Sequence, residues 1–302
     1  MKNKSLISIS DYSVDEIMEV LELAKEFEKN PSQRIAESKV IASLFFEPST
    51  RTMMSFESAA NRLGARVIGF NEVSSTSVSK GESLSDTIKT VSLYSDLIVI
   101  RHHIEGAARF ASEVSKVPVI NAGDGANQHP TQCMLDLFSI LRTQNTLDNL
   151  DIVLVGDLKF GRTVHSLVKA MTNFNTTFHL VSPVELKLPS AVKMFIKNRK
   201  LKYYQYTSME EAIKKADIVY MTRIQRERFS DPLEYERVKN SYTLSKNLLV
   251  DVKPNMKILH PLPRVNEISE DVDNTPQAYY FDQALNGVYV RQALISKILG
   301  LK

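Results

Sequence analysis

The 302-residue chain has a single cysteine, Cys133, and no tryptophan. One thiol excludes an intrachain disulfide and any metal site built from several cysteines. Glycine (10) and proline (11) are too sparse for a collagen-like or low-complexity chain, and no heptad persists. No apolar run nears the roughly 18–20 residues of a membrane span; the strongest are short, such as Asp96-Leu97-Ile98-Val99-Ile100. The first residues carry two lysines but no apolar stretch of roughly 7–15 residues, so no secretory signal is expected and the cytoplasm is the expected location. Charge of one sign is not in excess either. With 38 Lys and Arg against 35 Asp and Glu the net is +3, the signs are interspersed, and no nucleic-acid footprint is legible.

What remains is an ordinary core-forming composition, 43% hydrophobic, on a chain long enough for two domains at roughly 100–200 residues each. Short β-rich runs alternate with amphipathic helical stretches, which predicts an α/β fold with parallel sheets. Ser13 and Glu16 form a capping box for a first helix that stops before Pro31. Strands are predicted at 40–46, 66–70, 96–101 and 117–121, with helices at 52–63, 83–94, 105–115 and 130–144; Gly64 suits a left-handed helix end. The polar stretch 143–149 marks a boundary, after which strands at 151–157, 177–182, 203–207, 217–223 and 257–260 repeat the alternation. The expectation is two open parallel sheets flanked by helices, in domains 1–145 and 146–282. The last helix, 283–302, is expected to pack back on the first domain. Ligands of such folds bind at the carboxyl ends of the strands, here in a cleft between the domains.

The residues following each strand are informative. The first runs into Glu47-Pro48-Ser49-Thr50-Arg51-Thr52 and then a helix. Backbone N–H groups, hydroxyls and a guanidinium at a helix start form an anion cradle or, more plainly, a capped helix with a surface arginine. The third strand ends in Arg101-His102-His103, where a surface arginine is the plain alternative. After the fourth, a loop with two glycines leads to His129, Pro130 and Gln132; a neutral His129 could donate to a carbonyl oxygen or simply cap the helix. In the second half, Gly156 and Gly161 lack the G-x-G-x-x-G spacing, and no ribose-binding acid follows the next strand, which argues against NAD(P). Later strands lead to Thr222-Arg223-Ile224-Gln225 and to His260-Pro261-Leu262-Pro263-Arg264.

Arg51, Arg101, Arg162 and Arg223 therefore all fall at the ligand-binding ends of strands. Four gathered guanidiniums need compensating anions. Glu47 can supply part, and a ligand carrying phosphate and carboxylates would supply the rest. No metal site is expected, because the six histidines are scattered and adjacent His102 and His103 cannot both face one way on a strand. The small polar loop 74–82, with Lys80 at its tip, is either a plain surface loop or a functional one.

Together these segments resemble the aspartate carbamoyltransferase catalytic chain. The resemblance runs through 46–57 (FEPSTRTMMSFE), 77–87 (SVSKGESLSDT), 101–109 (RHHIEGAAR), 121–136 (NAGDGANQHPTQCMLD), 155–167 (VGDLKFGRTVHSL), 222–229 (TRIQRERF), 260–265 (HPLPRV) and 287–294 (GVYVRQAL), essentially the whole chain. Ornithine carbamoyltransferases share S-T-R-T but typically carry His-Cys-Leu-Pro where this chain has His260-Pro261-Leu262-Pro263; they also lack the arginines that suit a dicarboxylate. The resemblance implies carbamoyl transfer from carbamoyl phosphate to L-aspartate, an early step of de novo pyrimidine (UMP) synthesis. It implies direct attack through a tetrahedral intermediate, with no covalent enzyme intermediate and no cofactor.

Carried over by residue, the resemblance assigns Ser49, Thr50, Arg51 and Thr52 to the phosphate. Arg101, His129 and Thr52 fall to the carbonyl oxygen, and Gln132 with the backbone at Leu262 and Pro263 to the carbamoyl nitrogen. Arg162 and Arg223 bind the aspartate carboxylates, with Gln225 nearby, and Glu47 ties Arg162 and Arg228 on domain closure. A homotrimer is implied, with Ser77 and Lys80 reaching into a neighbour's site, and a separate regulatory chain is left open. Met53, Met54, His103, Cys133 and Phe160 depart from the family pattern beside these positions rather than at them.

Overall fold

Val14, Ile17, Leu21 and Ala24 share one helical face, and in the computed structural model they lie on α1 (Val14–Lys29), which buries Ile17, Leu21 and Ala24. The structure describes residues 1–302, the side chains of Ser75 and Glu227 excepted. The capping box forms as the spacing predicts: the Ser13 hydroxyl accepts the Glu16 N–H at 3.1 Å, and Glu16 accepts the Ser13 N–H at 2.9 Å. Contacts divide the chain into two units, Met1–Phe138 with Leu285–Lys302, and Ser139–Ala284.

In the first unit, β1 (Val40–Phe45), α2 (Thr50–Arg62), β2 (Arg66–Phe70), α3 (Leu84–Val91), β3 (Leu97–His102), α4 (Ala107–Val114) and β4 (Val119–Asp124) follow in sequence. The sheet is wholly parallel in the order β2-β1-β3-β4. Its central strands β1 and β3 are covered on both faces, so they read as nearly continuous apolar runs, with Ala42, Leu44, Ile98 and Ile100 buried. Two differences from the expected elements matter. Helix α2 starts two residues earlier than predicted, which places Thr50 and Arg51 in its first turn. Strand β4 ends at Asp124 rather than 121, because a register shift lets Asp124 pair with His102. Gly64 adopts φ +80°, as its place after α2 requires.

α5 (Pro130–Gln144) leads to β5 (Asp151–Val155), α6 (Arg162–Met171), β6 (Thr177–Val181), α7 (Ser190–Asn198), β7 (Tyr203–Tyr206), α8 (Glu210–Ile213), β8 (Ile218–Met221), α9 (Pro232–Val238), β9 (Lys257–Leu259) and α10 (Tyr280–Leu299). The second sheet is also parallel, in the order β7-β6-β5-β8-β9. The end of α5 belongs to this unit: Gln144 Nε2 donates to the carbonyls of Asp217 and Asn255. Helix α10 begins at Tyr280, three residues before the predicted start at Gln283, because Tyr280 is fully buried in the second unit's core beside Val219, Ile258 and Met256. Among the described residues, no helix is long and apolar enough to cross a membrane.

At the end of β5, Gly156 has φ +113°, and a Cβ there would lie 2.3 Å from the Thr222 carbonyl oxygen. Glycine at this point lets the tips of β5 and β8 approach. Gly156→Ala should therefore wedge the tips apart and destabilise the chain by about 2–4 kcal/mol. Urea unfolding measures this, and a loss under half a kcal/mol would show that the tips do not need the close approach.

Candidate functional site

In each sheet every strand runs the same way, so all carboxyl ends lie along one edge. The first sheet reverses its strand order between neighbouring β1 and β3, and the second between β5 and β8. Ligands of open α/β sheets bind at such reversals. The predicted residues of the first unit leave β1 (Ser49 to Thr52), β3 (Arg101) and β4 (His129 and Gln132). Those of the second leave β5 (Arg162), β8 (Arg223 and Gln225) and β9 (Leu262 and Pro263). Each set comes from three adjacent strands.

Helix α2 is opened by Ser49, whose hydroxyl makes no capping bond, and its first turn has no acidic residue. α1 differs, with Ser13 bonded and Asp15 and Glu16 in its first turn. The start of α2, with Thr50, Arg51 and buried Thr52, thus offers backbone N–H groups and the positive helix end to an anion. Arg101 is 8% exposed; its guanidinium donates to the Ala122 carbonyl and to Glu47 Oε1, both at 3.2 Å. Glu47 thus has Arg101 as a partner within the first unit. His129 is buried just before α5, and its carbonyl accepts the N–H groups of Gln132 and Cys133. Gln132 Nε2 donates to Asp136 Oδ1 at 2.8 Å. Ser77 and Lys80 bound an exposed single-turn 3-10 helix ahead of Gly81.

Sequence reasoning missed the residue that shapes the loop to His129. Asp124 is fully buried. Its carboxylate accepts from Asn121 Nδ2, the Gln128 N–H, the Gly106 N–H and Asn127 Nδ2, at 2.9–3.1 Å. The Asn121-x-x-Asp124 spacing was the available signal, since it leaves two polar side chains where a strand should turn.

In the second unit Asp157 has the same role. It is fully buried, its Oδ1 accepts the Phe160 N–H at 2.9 Å, and its own N–H donates to Thr222 Oγ1 at 3.1 Å. Burial raises its pKa, opposed by backbone N–H groups of Phe160, Gln225 and Lys159. One carboxyl group therefore joins the loop that starts α6, where Arg162 is the first residue, to the segment carrying Arg223 and Gln225.

The turn after β9 is held by a third buried acid. His260 Nδ1 accepts the Leu262 N–H at 2.7 Å, which places the ring proton on Nε2, 2.7 Å from Glu267 Oε1. Glu267 Oε2 accepts the Val265 and Asn266 N–H groups, both at 3.1 Å. This frame keeps Leu262 at φ +54°, in the left-handed region that a leucine rarely adopts. Arg264 is engaged elsewhere, forked onto Asp273 beside Tyr280. Among the described residues, no group of three or more His, Cys, Asp or Glu side chains could hold a metal ion.

Burial lowers the pKa of His102, to about 4, and also those of His165 and His260, from the ordinary 6.5. Such rings stay neutral in the folded chain but protonate in the unfolded one. Below pH ~6.5 the unfolded state binds more protons, and stability present above that pH is lost as pH falls through the folded values. Urea unfolding from about pH 7.5 to about pH 5 should show this decline, and His260→Gln should make it shallower. An unaltered slope would exclude His260 from the effect.

Two family models match the chain: "Aspartate/ornithine carbamoyltransferase, carbamoyl-P binding domain" over residues 4–142, and "Aspartate/ornithine carbamoyltransferase, Asp/Orn binding domain" over 148–298. The chain is 61% identical over 302 residues to the aspartate carbamoyltransferase catalytic subunit of Bacteroides fragilis, covering 100% of this chain and 98% of that one. It is 53% identical over 304 residues to that of Clostridium perfringens, covering 99% of each. Among solved structures, the catalytic subunit of M. jannaschii aspartate transcarbamoylase superposes with a TM-score of 0.92 at 48% identity, over 98% of both chains. The Trypanosoma cruzi aspartate transcarbamoylase in complex with N-(phosphonacetyl)-L-aspartic acid superposes with a TM-score of 0.93 at 36% identity, over 99% of this chain and 96% of that one. With both models matched in order and relatives aligned from end to end, the chain belongs to the aspartate/ornithine carbamoyltransferase family.

Proposed function

We propose that this chain is an aspartate carbamoyltransferase, transferring the carbamoyl group of carbamoyl phosphate to the amino group of L-aspartate. The products are N-carbamoyl-L-aspartate and phosphate, and the reaction is an early step of pyrimidine synthesis, which we place in the cytoplasm. The family model for the second unit covers both aspartate and ornithine, so the side chains must decide between them. The observation that carries the choice is Arg162 opening α6 and Arg223 following β8, on loops joined through Asp157. Two guanidiniums suit two carboxylates and repel the ammonium of ornithine.

In this reading Ser49, Thr50, Arg51 and Thr52 hold the phosphate at the start of α2. Arg101, His129 and Thr52 surround the carbonyl oxygen. Gln132 and the carbonyls of the Leu262–Pro263 turn receive the carbamoyl NH2. Arg162 and Arg223, with Gln225, take the aspartate carboxylates, and Glu47 ties Arg162 and Arg228 on domain closure. The neutral amine attacks the carbonyl carbon, and negative charge collects on the oxygen, where preplaced donors are worth about 2.7–4 kcal/mol each. The C–O bond to phosphate then breaks with its electron pair leaving on phosphate, which can accept the amine proton. Holding two anions in line supplies much of the acceleration. No side-chain nucleophile is required; Cys133 is fully buried, and burial raises its thiol pKa well above the ordinary value.

We further propose a homotrimer in which Ser77 and Lys80 serve a neighbour's site. Supporting this, β2 is an edge strand with Ile68 exposed, and a groove beside it is lined by Met53, Glu57, Asn61 and Phe70. Exposed edge strands are normally covered.

Arg51→Ala should lower kcat/KM by about a thousandfold with an unchanged circular dichroism spectrum; near-normal turnover would remove the phosphate assignment. Mixing unfolded Arg51→Ala and Lys80→Ala chains and refolding them together should restore part of the activity that neither variant has alone. Mixed trimers without recovery would mean each site is built from one chain.

A further inference from the structure

We propose that Asp136 is a positioning residue that fixes which end of the Gln132 side-chain amide faces the substrate, and so selects an amino group over a methyl group on the acyl carbon. The inference rests on the carbamoyl-transfer reading and concerns a residue one helical turn beyond the groups assigned to substrate.

Gln132 is 8% exposed and Asp136 fully buried, both on α5. The 2.8 Å bond runs from Gln132 Nε2 to Asp136 Oδ1. An ionised carboxylate only accepts hydrogen bonds, so the amide must turn its NH2 toward Asp136. Its carbonyl oxygen, Oε1, is then the end left for the other side. The carbamoyl NH2 is a donor that needs acceptors, and Oε1 is one. A reversed amide would set NH2 against NH2, an arrangement that favours a donor lacking the amino group. The orientation of one buried amide is thus a filter for substrate chemistry.

The filter works only if Asp136 keeps its charge in a fully buried place, and three helices contribute to that. Arg291 on α10 is 2% exposed, and attraction to Asp136 supports its charge against burial, which lowers its pKa to about 10. The guanidinium therefore stays protonated at neutral pH and supplies Asp136 with a fixed positive neighbour. Arg291 is itself held: Nη1 donates to Ser55 Oγ on α2 at 2.9 Å, and its guanidinium carbon lies 4.9 Å from the centre of the Phe56 ring. It passes so close over Gly287 that a Cβ there would lie 2.3 Å from Nη1. Ser55 follows the Ser49–Thr52 cradle on the same helix, so the relay Ser55, Arg291, Asp136, Gln132 begins on the phosphate-binding helix and ends at the amide assigned to the carbamoyl nitrogen.

The test uses steady-state kinetics of wild type, Asp136→Asn, Gln132→Ala and the double variant. Acyl donors are carbamoyl phosphate and acetyl phosphate, the latter carrying CH3 in place of NH2 and read as a substrate or as a competitive inhibitor. Wild-type turnover of carbamoyl phosphate with aspartate is measured first, because its absence would defeat the functional reading rather than this inference. Asp136→Asn should raise the KM for carbamoyl phosphate about tenfold, leave the constant for acetyl phosphate within about twofold, and add nothing once Gln132 is alanine. Equal losses toward both donors, or losses that add in the double variant, would assign Asp136 a merely structural role and overturn the proposal. A neutron structure of the deuterium-exchanged wild-type protein reads the amide directly and does not depend on any variant folding. Deuterons on the Gln132 atom facing Asp136 are expected; an oxygen there refutes the inference.

Discussion

Guanidinium groups repel one another, yet a site for two polyanionic reactants needs several of them close together. Parallel strands satisfy that requirement geometrically, because every carboxyl end in a sheet reaches the same edge. In this chain the reversal of strand order places β1 beside β3 and β5 beside β8. The segments leaving adjacent tips are then neighbours although they are far apart in sequence: Arg101 meets Glu47, and Asp157 meets Thr222. The sheet core needs only apolar side chains to form, so the charged tips are free to be chosen for chemistry.

Closeness at the tips is then converted into fixed geometry by buried acids. Asp124, Asp157 and Glu267 each receive backbone N–H groups from the loop they organise. Hydrogen bonds to a charged acceptor are worth roughly 1.5–3 kcal/mol each, more than neutral ones. A loop closed on a carboxylate is consequently stiffer than one held by turn propensity alone. None of the three touches the reactants in the proposed reading; they shape the loops that carry His129, Arg162, Arg223 and Leu262, which that reading places against them.

This division explains what was legible from residues alone. Alternating apolar runs and a capping box predicted the strands, the parallel class and α1, because hydrophobic burial and helix ends leave local patterns. Arg51, Arg101, Arg162 and Arg223 were legible because a strand followed by an arginine is itself a local pattern. Asp124, Asp157 and Glu267 were not, since a carboxylate that binds distant backbone looks in sequence like any other polar residue of a loop. The end of β4 was missed for a related reason: its last pairing, Asp124 with His102, depends on a register shift against the distant strand β3. The early start of α10 follows from Tyr280, whose burial belongs to the second unit's core and not to the helix's own periodicity.

The start of α2, which the Ser49 side chain leaves uncapped, has a consequence for the protein's robustness. The chain closes α1 with its own side chains, whereas at α2 the proposed reading gives the corresponding duty to a bound phosphate group. Whatever phosphate-like solute docks there favours the native form by RT ln(1 + [L]/Kd). Hardiness is therefore a joint property of the polypeptide and its medium. In that reading a cell rich in phosphorylated metabolites sustains a sturdier molecule than a buffer chosen for its inertness.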